Sequence, residues 1–281
     1  LTTLPGPLVS PAWLAAARAP GLVVIDATIY LANEGKDAAA LFEAAHIPGA
    51  RFFDIDRVVD PAATAPHMLP SAADFAAAVG ALGIGNGDAV IVYDQRGIFS
   101  AARLWWMFRV FGHAAVAVLD GGLPGWVAAG GAVEAGVPVV APAHFSAADV
   151  RPEFVRSLAD MRANLHTGAE LVLDARAAGR FHGTVPEPRA GMRGGHIPGA
   201  VSLPFTELLQ DGFLAPPDLL RARFAAAGVG PQTRVVTSCG SGVTAAVLTL
   251  GLAVAGLPAG SLYDGSWSEW GAAALDTPVE V

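Results

Sequence analysis

Short runs of Val, Ile and Leu recur along the chain, bounded by turn residues: "VVIDA" (23–27), "AVIVYD" (89–94), "LVLDA" (171–175) and "RVVTSC" (234–239). Continuous apolar runs of this length predict strands buried on both faces. Each is followed by a stretch of helical spacing, and strands alternating with helices predict a parallel sheet covered on both sides. The longest uncharged stretch, Val235 to Tyr263, divides into strand "RVVTS", loop "CGSG", helix "VTAAVLTLGLAVAG", turn "LPAG" and strand "SLYDG". A helix apolar on every face is expected in a core. The Gly, Ser, Thr and Pro breakers argue against a membrane span, which needs roughly 20 continuous apolar residues.

The pattern occurs twice. "AHIPGA" (45–50) returns as "GHIPGA" (195–200), "VVIDA" as "LVLDA", and "VLDGGLPGW" (118–126) as "LYDGSWSEW" (262–270), in the same order. A period of roughly 145–150 residues identifies two copies of one unit. Each copy is expected to run helix, strand, HIPGA loop, helix, strand, helix, strand. "VPVVAPAHFSAADVRPEF" (137–154), rich in Pro and Ala, marks the junction. The predicted organisation is a domain over 1–137, a linker over 138–152 and a second domain over 153–281. The length of 281 residues agrees, because a single core rarely exceeds about 250.

Composition narrows the function. A formal net charge of −8 argues against a nucleic-acid or anionic-membrane surface, which needs clustered Lys and Arg. One cysteine cannot close an internal disulfide or build a thiolate zinc site. "LTTLPGPLVSPAW" lacks a basic region followed by an apolar core, so no signal peptide is expected. A reducing, cytoplasmic setting follows as the expectation. His113, His144, His166 and His182 are scattered without ligand spacing, and neither a metal nor a cofactor is expected. "GIGNGD" (83–88) precedes a strand instead of following one, so it reads as a turn and not a dinucleotide fingerprint.

The chemistry concentrates on that one cysteine. Aligning the copies sets Asp94 opposite Cys239: the first reads "DQRGIFSAARLWW", the second "CGSGVTAAVLTL". Cys239 stands at the carboxyl end of a strand, where ligands bind in parallel α/β sheets. Gly240, Ser241 and Gly242 let the backbone curl, so that N–H groups through Val243 and Thr244 converge in a nest for an anion. The helix that follows adds its unpaired first-turn N–H groups. Such a place favours a thiolate and equally a persulfide, Cys–S–S⁻. A tyrosine phosphatase would need a longer loop closing on an Arg, which "CGSGVT" lacks.

"FEAAHIPGARFF" (42–53), "CGSGVTA" (239–245) and "YDGSWSEW" (263–270) together resemble the rhodanese family of sulfurtransferases, over nearly the whole chain. The resemblance implies an α/β fold of two tandem rhodanese-like domains, each a mainly parallel sheet flanked by helices, with the first catalytically inactive. Members that use thiosulfate typically carry Cys-Arg-Lys-Gly-Val-Thr, where two cations suit a small dianion. The neutral loop here resembles the branch that uses 3-mercaptopyruvate. In "GRFHGTVPEPR" (179–189), Arg180 and Arg189 match the family's two substrate-binding arginines, able to grip a carboxylate in bidentate fashion. Arg176 and Arg193 lie near enough in sequence to be confused with them. In "FFDIDRVVDPAATAPHMLP" (52–70), Asp56 and His67 match an Asp and a His that would join Ser241 in a Ser-His-Asp relay.

The expected reaction moves sulfane sulfur from 3-mercaptopyruvate through a Cys239 persulfide to a thiol, including a thioredoxin-like protein, or to cyanide. A thiosulfate:cyanide sulfurtransferase and a sulfur-carrier protein remain as alternatives. His46 and His196 recur in both halves, only one of them active. They are expected to anchor the Pro-Gly turn by hydrogen bonds and to take no part in chemistry.

Overall fold

The computed structural model describes residues 3–17 and 20–281. Its contacts divide into two units. In the first, strands β1 (Leu8–Val9), β2 (Leu22–Asp26), β3 (Arg51–Phe52), β4 (Ala89–Tyr93) and β5 (Val116–Leu119) form a sheet of order β1-β5-β4-β2-β3. Every pairing in it is parallel. Helices α1 (Pro11–Ala16), α2 (Ala38–Ala44), α3 (Ala72–Ala81), α4 (Ala101–Val110) and α5 (Gly122–Ala128) connect the strands.

The second unit repeats this plan. Strands β6 (Val155–Arg156), β7 (Leu171–Asp174) and β8 (Val201–Ser202) are followed by the short strand β9 (Leu209–Gln210), and the equally short β10 (Phe213–Leu214) groups with the first unit. β11 (Val235–Ser238) and β12 (Ser261–Tyr263) complete the sheet, whose order is β6-β12-β11-β7-β8. Its pairings are again all parallel. The helices are α6 (Leu158–Thr167), α7 (Ala178–Phe181), α8 (Pro217–Ala226), α9 (Ala245–Val254) and α10 (Ser266–Trp270). Replacing β1 to β5 by β6, β7, β8, β11 and β12 reproduces the first sheet strand for strand. The duplication read from the sequence is therefore a duplication of topology.

The central strands are fully buried, which accounts for their unbroken Val and Ile content: all five residues of β4 and all four of β11 are inside. The uncharged helix α9 buries Ala245 through Leu252 on every face, as its sequence predicts. Among the described residues no helix is long and apolar enough to cross a membrane. Local chemistry sets the helix starts. Ser71 Oγ accepts the N–H of Asp74 at the head of α3, and Ser157 with Asp160 forms a capping box on α6. The edge strands β1 and β6 are two residues long, too short to leave a period, and the sequence does not announce them.

The units differ from the expected boundaries of 1–137, 138–152 and 153–281. Residues 60–68 group with the second unit, and 211–214 with the first. Segment 138–151 has no helix or strand and groups with the first unit. There Ala143 N–H donates to Gly80 O, Ala148 N–H donates to Phe111 O, and Phe145 is buried against Phe75 and Phe108. An aromatic anchor and backbone bonds hold down a stretch whose Pro and Ala content alone suggests a free connector.

Both HIPGA turns are built alike. His46 stacks on Phe42 and its Nδ1 bonds Phe42 O at 2.8 Å; His196 stacks on Phe181 and its Nδ1 bonds Phe181 O at 3.0 Å. Each histidine backbone also bridges a glutamate, Glu134 or Glu280, whose carboxylate accepts the N–H of Gly49 or Gly199. The repeated histidines hold the turn.

Candidate active site

Cys239 follows β11 directly, is 1% exposed, and is a free thiol. Gly242 takes φ of 75°, the left-handed turn that starts the curl toward α9. Thr244 stands at the N-cap of α9, and Val243 and Thr244 accept the first bonds of the helix, from the N–H groups of Ala246 and Val247.

The first unit shows what such a loop holds. At the position of Cys239 it has Asp94, which is fully buried. Asp94 Oδ2 accepts the N–H groups of Phe99, Ser100 and Ala101 at 2.8, 2.9 and 2.9 Å, and Oδ1 accepts that of Arg96 at 2.9 Å. Its own carboxylate fills the anion nest between strand and helix. The second loop has the same left-handed glycine three residues on, Gly242 against Gly97, but reaches its helix one residue sooner. A cysteine side chain there is one atom shorter than an aspartate. An added sulfur restores the reach and the negative charge.

A second segment fixes the loop from the side. Cys239 N–H donates to Ser266 Oγ at 3.1 Å, and Ser266 Oγ–H donates to Tyr263 O at 2.9 Å. Trp267 N–H donates to Cys239 O at 2.9 Å and Ser268 N–H to Gly240 O at 2.8 Å, and Ser268 Oγ–H donates to the same carbonyl at 2.6 Å. Ser266 holds φ of 47°, left-handed for a residue with a side chain. That conformation costs on the order of 1–3 kcal/mol and needs surroundings that enforce it. At the matching place the first unit has Gly122 with φ of 54°, where a Cβ would lie 2.2 Å from Asp94 O. The exchange of glycine for serine between the copies supplies the hydroxyl that receives the cysteine's N–H. The sequence carries that signal in "LDGGL" against "YDGSW", but a residue count alone does not reveal the bond.

His67 Nδ1 and Ser241 Oγ share a hydrogen bond of 2.9 Å, and both side chains are buried. His67 takes φ of 61°, and its segment is closed by the bond from Asp60 N–H to Met68 O. Two members of the expected relay are thus joined. Asp56 belongs to the first unit and is exposed, with its N–H on Asp54 Oδ1 at 3.1 Å.

The four candidate arginines separate by their partners. Arg176 is 2% exposed, held by Asp174 through Nε and Nη2, by Gly195 O, and over the Trp267 ring at 4.3 Å. Burial works against its charge, but the Asp174 and Glu187 carboxylates outweigh it and hold the guanidinium above its ordinary range. Arg193 is occupied by the carbonyls of Trp270 and Thr277. Arg180 reaches the loop, and Arg189 reaches a serine that is bonded to it. A Cβ built on Gly240 would lie 3.0 Å from Arg180 Nη2, and Arg189 Nη1 donates to Ser268 Oγ at 3.3 Å, the hydroxyl already bonded to Gly240 O. Glu187, Ser266 and Ser268 are the site residues that sequence reasoning missed.

A buried free thiol stands between strand and helix, with the Arg180 guanidinium at Gly240 and Arg189 on the Ser268 hydroxyl that bonds Gly240 O. The Rhodanese-like domain family matches residues 10–129 and 157–273, and the chain belongs to that family. It is 46% identical to human 3-mercaptopyruvate sulfurtransferase, across 94% of this chain and 91% of that protein. Bovine thiosulfate sulfurtransferase is 42% identical, across 94% and 91%. The structure of Escherichia coli SseA, a 3-mercaptopyruvate sulfotransferase, superposes with a TM-score of 0.85 at 41% identity, covering 94% of this chain and all of that one.

Proposed function

We propose that the chain is a sulfurtransferase that takes sulfane sulfur from 3-mercaptopyruvate, holds it on Cys239 as a persulfide, and releases pyruvate. The observation that carries this reading is Arg180 at Gly240, the residue next to the free thiol of Cys239, with Arg189 on the Ser268 hydroxyl that bonds Gly240 O. Two guanidiniums suit an α-keto carboxylate, and the loop itself adds no cation.

The transfer runs in two steps. The Cys239 thiolate attacks the donor's sulfur. An S–S bond forms, the donor's C–S bond breaks, and the electron pair leaves as the enolate of pyruvate. The enolate then takes up a proton, for which the Ser241–His67 pair supplies a path; the resemblance gives Asp56 the role of orienting His67. Cys239 is left as a persulfide among the N–H groups of Gly240 to Thr244. A second thiol, small or on a thioredoxin-like protein, or cyanide removes the outer sulfur and restores the thiolate. A lone reduced cysteine suits a reducing compartment such as the cytoplasm.

The test is Cys239→Ser. Turnover should vanish, and mass spectrometry of the intact chain after exposure to donor without acceptor should show one added sulfur atom on the wild type and none on the variant. Retained turnover would remove the nucleophile from this account. The 42% identity to bovine thiosulfate sulfurtransferase favours a second reading, in which thiosulfate is the donor at the same cysteine. A comparison of the two donors separates the readings.

A further inference from the structure

Arg180 does not approach the loop on its own. Its Nε donates to Glu187 Oε1 at 3.1 Å and its Nη2 to Glu187 Oε2 at 2.5 Å, a bidentate pair along one edge of the guanidinium. Glu187 is 4% exposed at its side chain and has a second anchor, since Arg176 Nη1 donates to its Oε1 at 2.9 Å. Arg176 is in turn fixed to Asp174 at the end of β7. A continuous chain, Asp174–Arg176–Glu187–Arg180, therefore runs from the sheet to Gly240. At its end, Arg180 Nη2 and Nη1 lie 3.0 and 3.8 Å from where a Gly240 Cβ would stand. Glu187 takes the Nε–Nη2 edge and leaves the Nη1–Nη2 end turned toward the loop.

The chain also sets charge. Two carboxylates and two guanidiniums cancel, so the ion-pair chain brings no net charge to the loop. Loss of the Glu187 charge would leave one guanidinium of that chain uncompensated beside the loop, a change that favours a dianion such as thiosulfate over a monoanion with one carboxylate.

We propose that Glu187 is a positioning and specificity-determining residue: it aims the Nη1–Nη2 end of Arg180 at the donor's carboxylate and cancels the charge that would favour a dianion. The proposal rests on the reading of Arg180 as the carboxylate clamp. It makes an unusual forecast, because loss of Glu187 should harm one donor and help the other. A role confined to holding the fold would lower both.

The experiment measures initial rates of the full chain with 3-mercaptopyruvate and with thiosulfate at fixed cyanide, for the wild type, Glu187→Gln, Glu187→Asp and Arg180→Ala. Thermal melting of each variant is followed in parallel. For Glu187→Gln, kcat/KM for 3-mercaptopyruvate should fall by roughly tenfold, mainly through KM, as a misplaced guanidinium loses its grip. With thiosulfate it should rise by roughly threefold or more, because a net positive charge appears beside the loop. Glu187→Asp keeps the charge and shortens the reach. It should lower the 3-mercaptopyruvate value without the gain for thiosulfate, and it carries the test if the glutamine variant does not fold. Equal losses on both donors, or no change on either, would overturn the proposal. Arg180→Ala keeps the two levels apart. If it leaves KM for 3-mercaptopyruvate unchanged, the clamp itself falls; if it raises KM while the Glu187 variants behave as wild type, only the role of Glu187 falls.

Discussion

Gly240 is where the site's parts converge: its carbonyl takes two bonds from Ser268, and Arg180 fills the place where a Cβ would stand. Its φ is not in the left-handed region, so alanine fits the backbone and only the added methyl meets the guanidinium. Gly240→Ala should therefore leave stability within about 1 kcal/mol of the wild type. It should raise KM for 3-mercaptopyruvate by roughly several-fold as Arg180 is pushed aside. Steady-state kinetics and a melting curve check both halves, and an unchanged KM would detach Arg180 from substrate. Cys239, Ser241, His67 and the two arginines stand in motifs, and of these expectations the structure joins His67 to Ser241 and brings Arg180 to Gly240. Glu187 was not legible, though it stands inside the quoted "PEPR". A carboxylate in a loop reads as surface charge until Arg176 and Arg180 are seen on either side of it. Ser266 and Ser268 escaped for the same reason, since their bonds join residues 27 and 28 apart in the chain.

At the scale of the element, the two strand–loop–helix units are one device with two contents. The β4–α4 loop closes on the carboxylate of Asp94, and the β11–α9 loop carries Cys239 at the matching place. The strands, helices and repeat were readable from apolar runs and punctuation. The contents of the nest were readable only as the identity of one residue, Asp or Cys. What the sequence could not show is that Asp94 turns back onto its own loop. Asp94→Ala leaves four N–H groups without their acceptor in a buried place, at a cost on the order of 1–3 kcal/mol or more. Melting should drop by roughly several degrees. Added sulfate or thiosulfate should recover part of the loss by entering the emptied nest, with no such effect on the wild type. A variant as stable as the wild type would show that the carboxylate is not what holds the loop.

At the scale of the molecule, a formal net charge of −8 does not attract anionic donors. Screening confines the charges' reach to about 8 Å at physiological ionic strength, so selection falls to the groups at the loop. Those groups are Arg180, paired with Glu187, and Arg189, beside a loop with no cation of its own. The chain is 46% identical to a 3-mercaptopyruvate sulfurtransferase and 42% to a thiosulfate sulfurtransferase, so the proposed choice of donor rests on local charge more than on that difference. The most direct test is the ratio of kcat/KM for 3-mercaptopyruvate and thiosulfate, measured at equal acceptor concentration on the unmodified chain. A ratio of roughly a hundred or more in favour of 3-mercaptopyruvate is what a neutral loop and a carboxylate clamp predict. A preference for thiosulfate would contradict the account of specificity and leave Cys239 with a different donor.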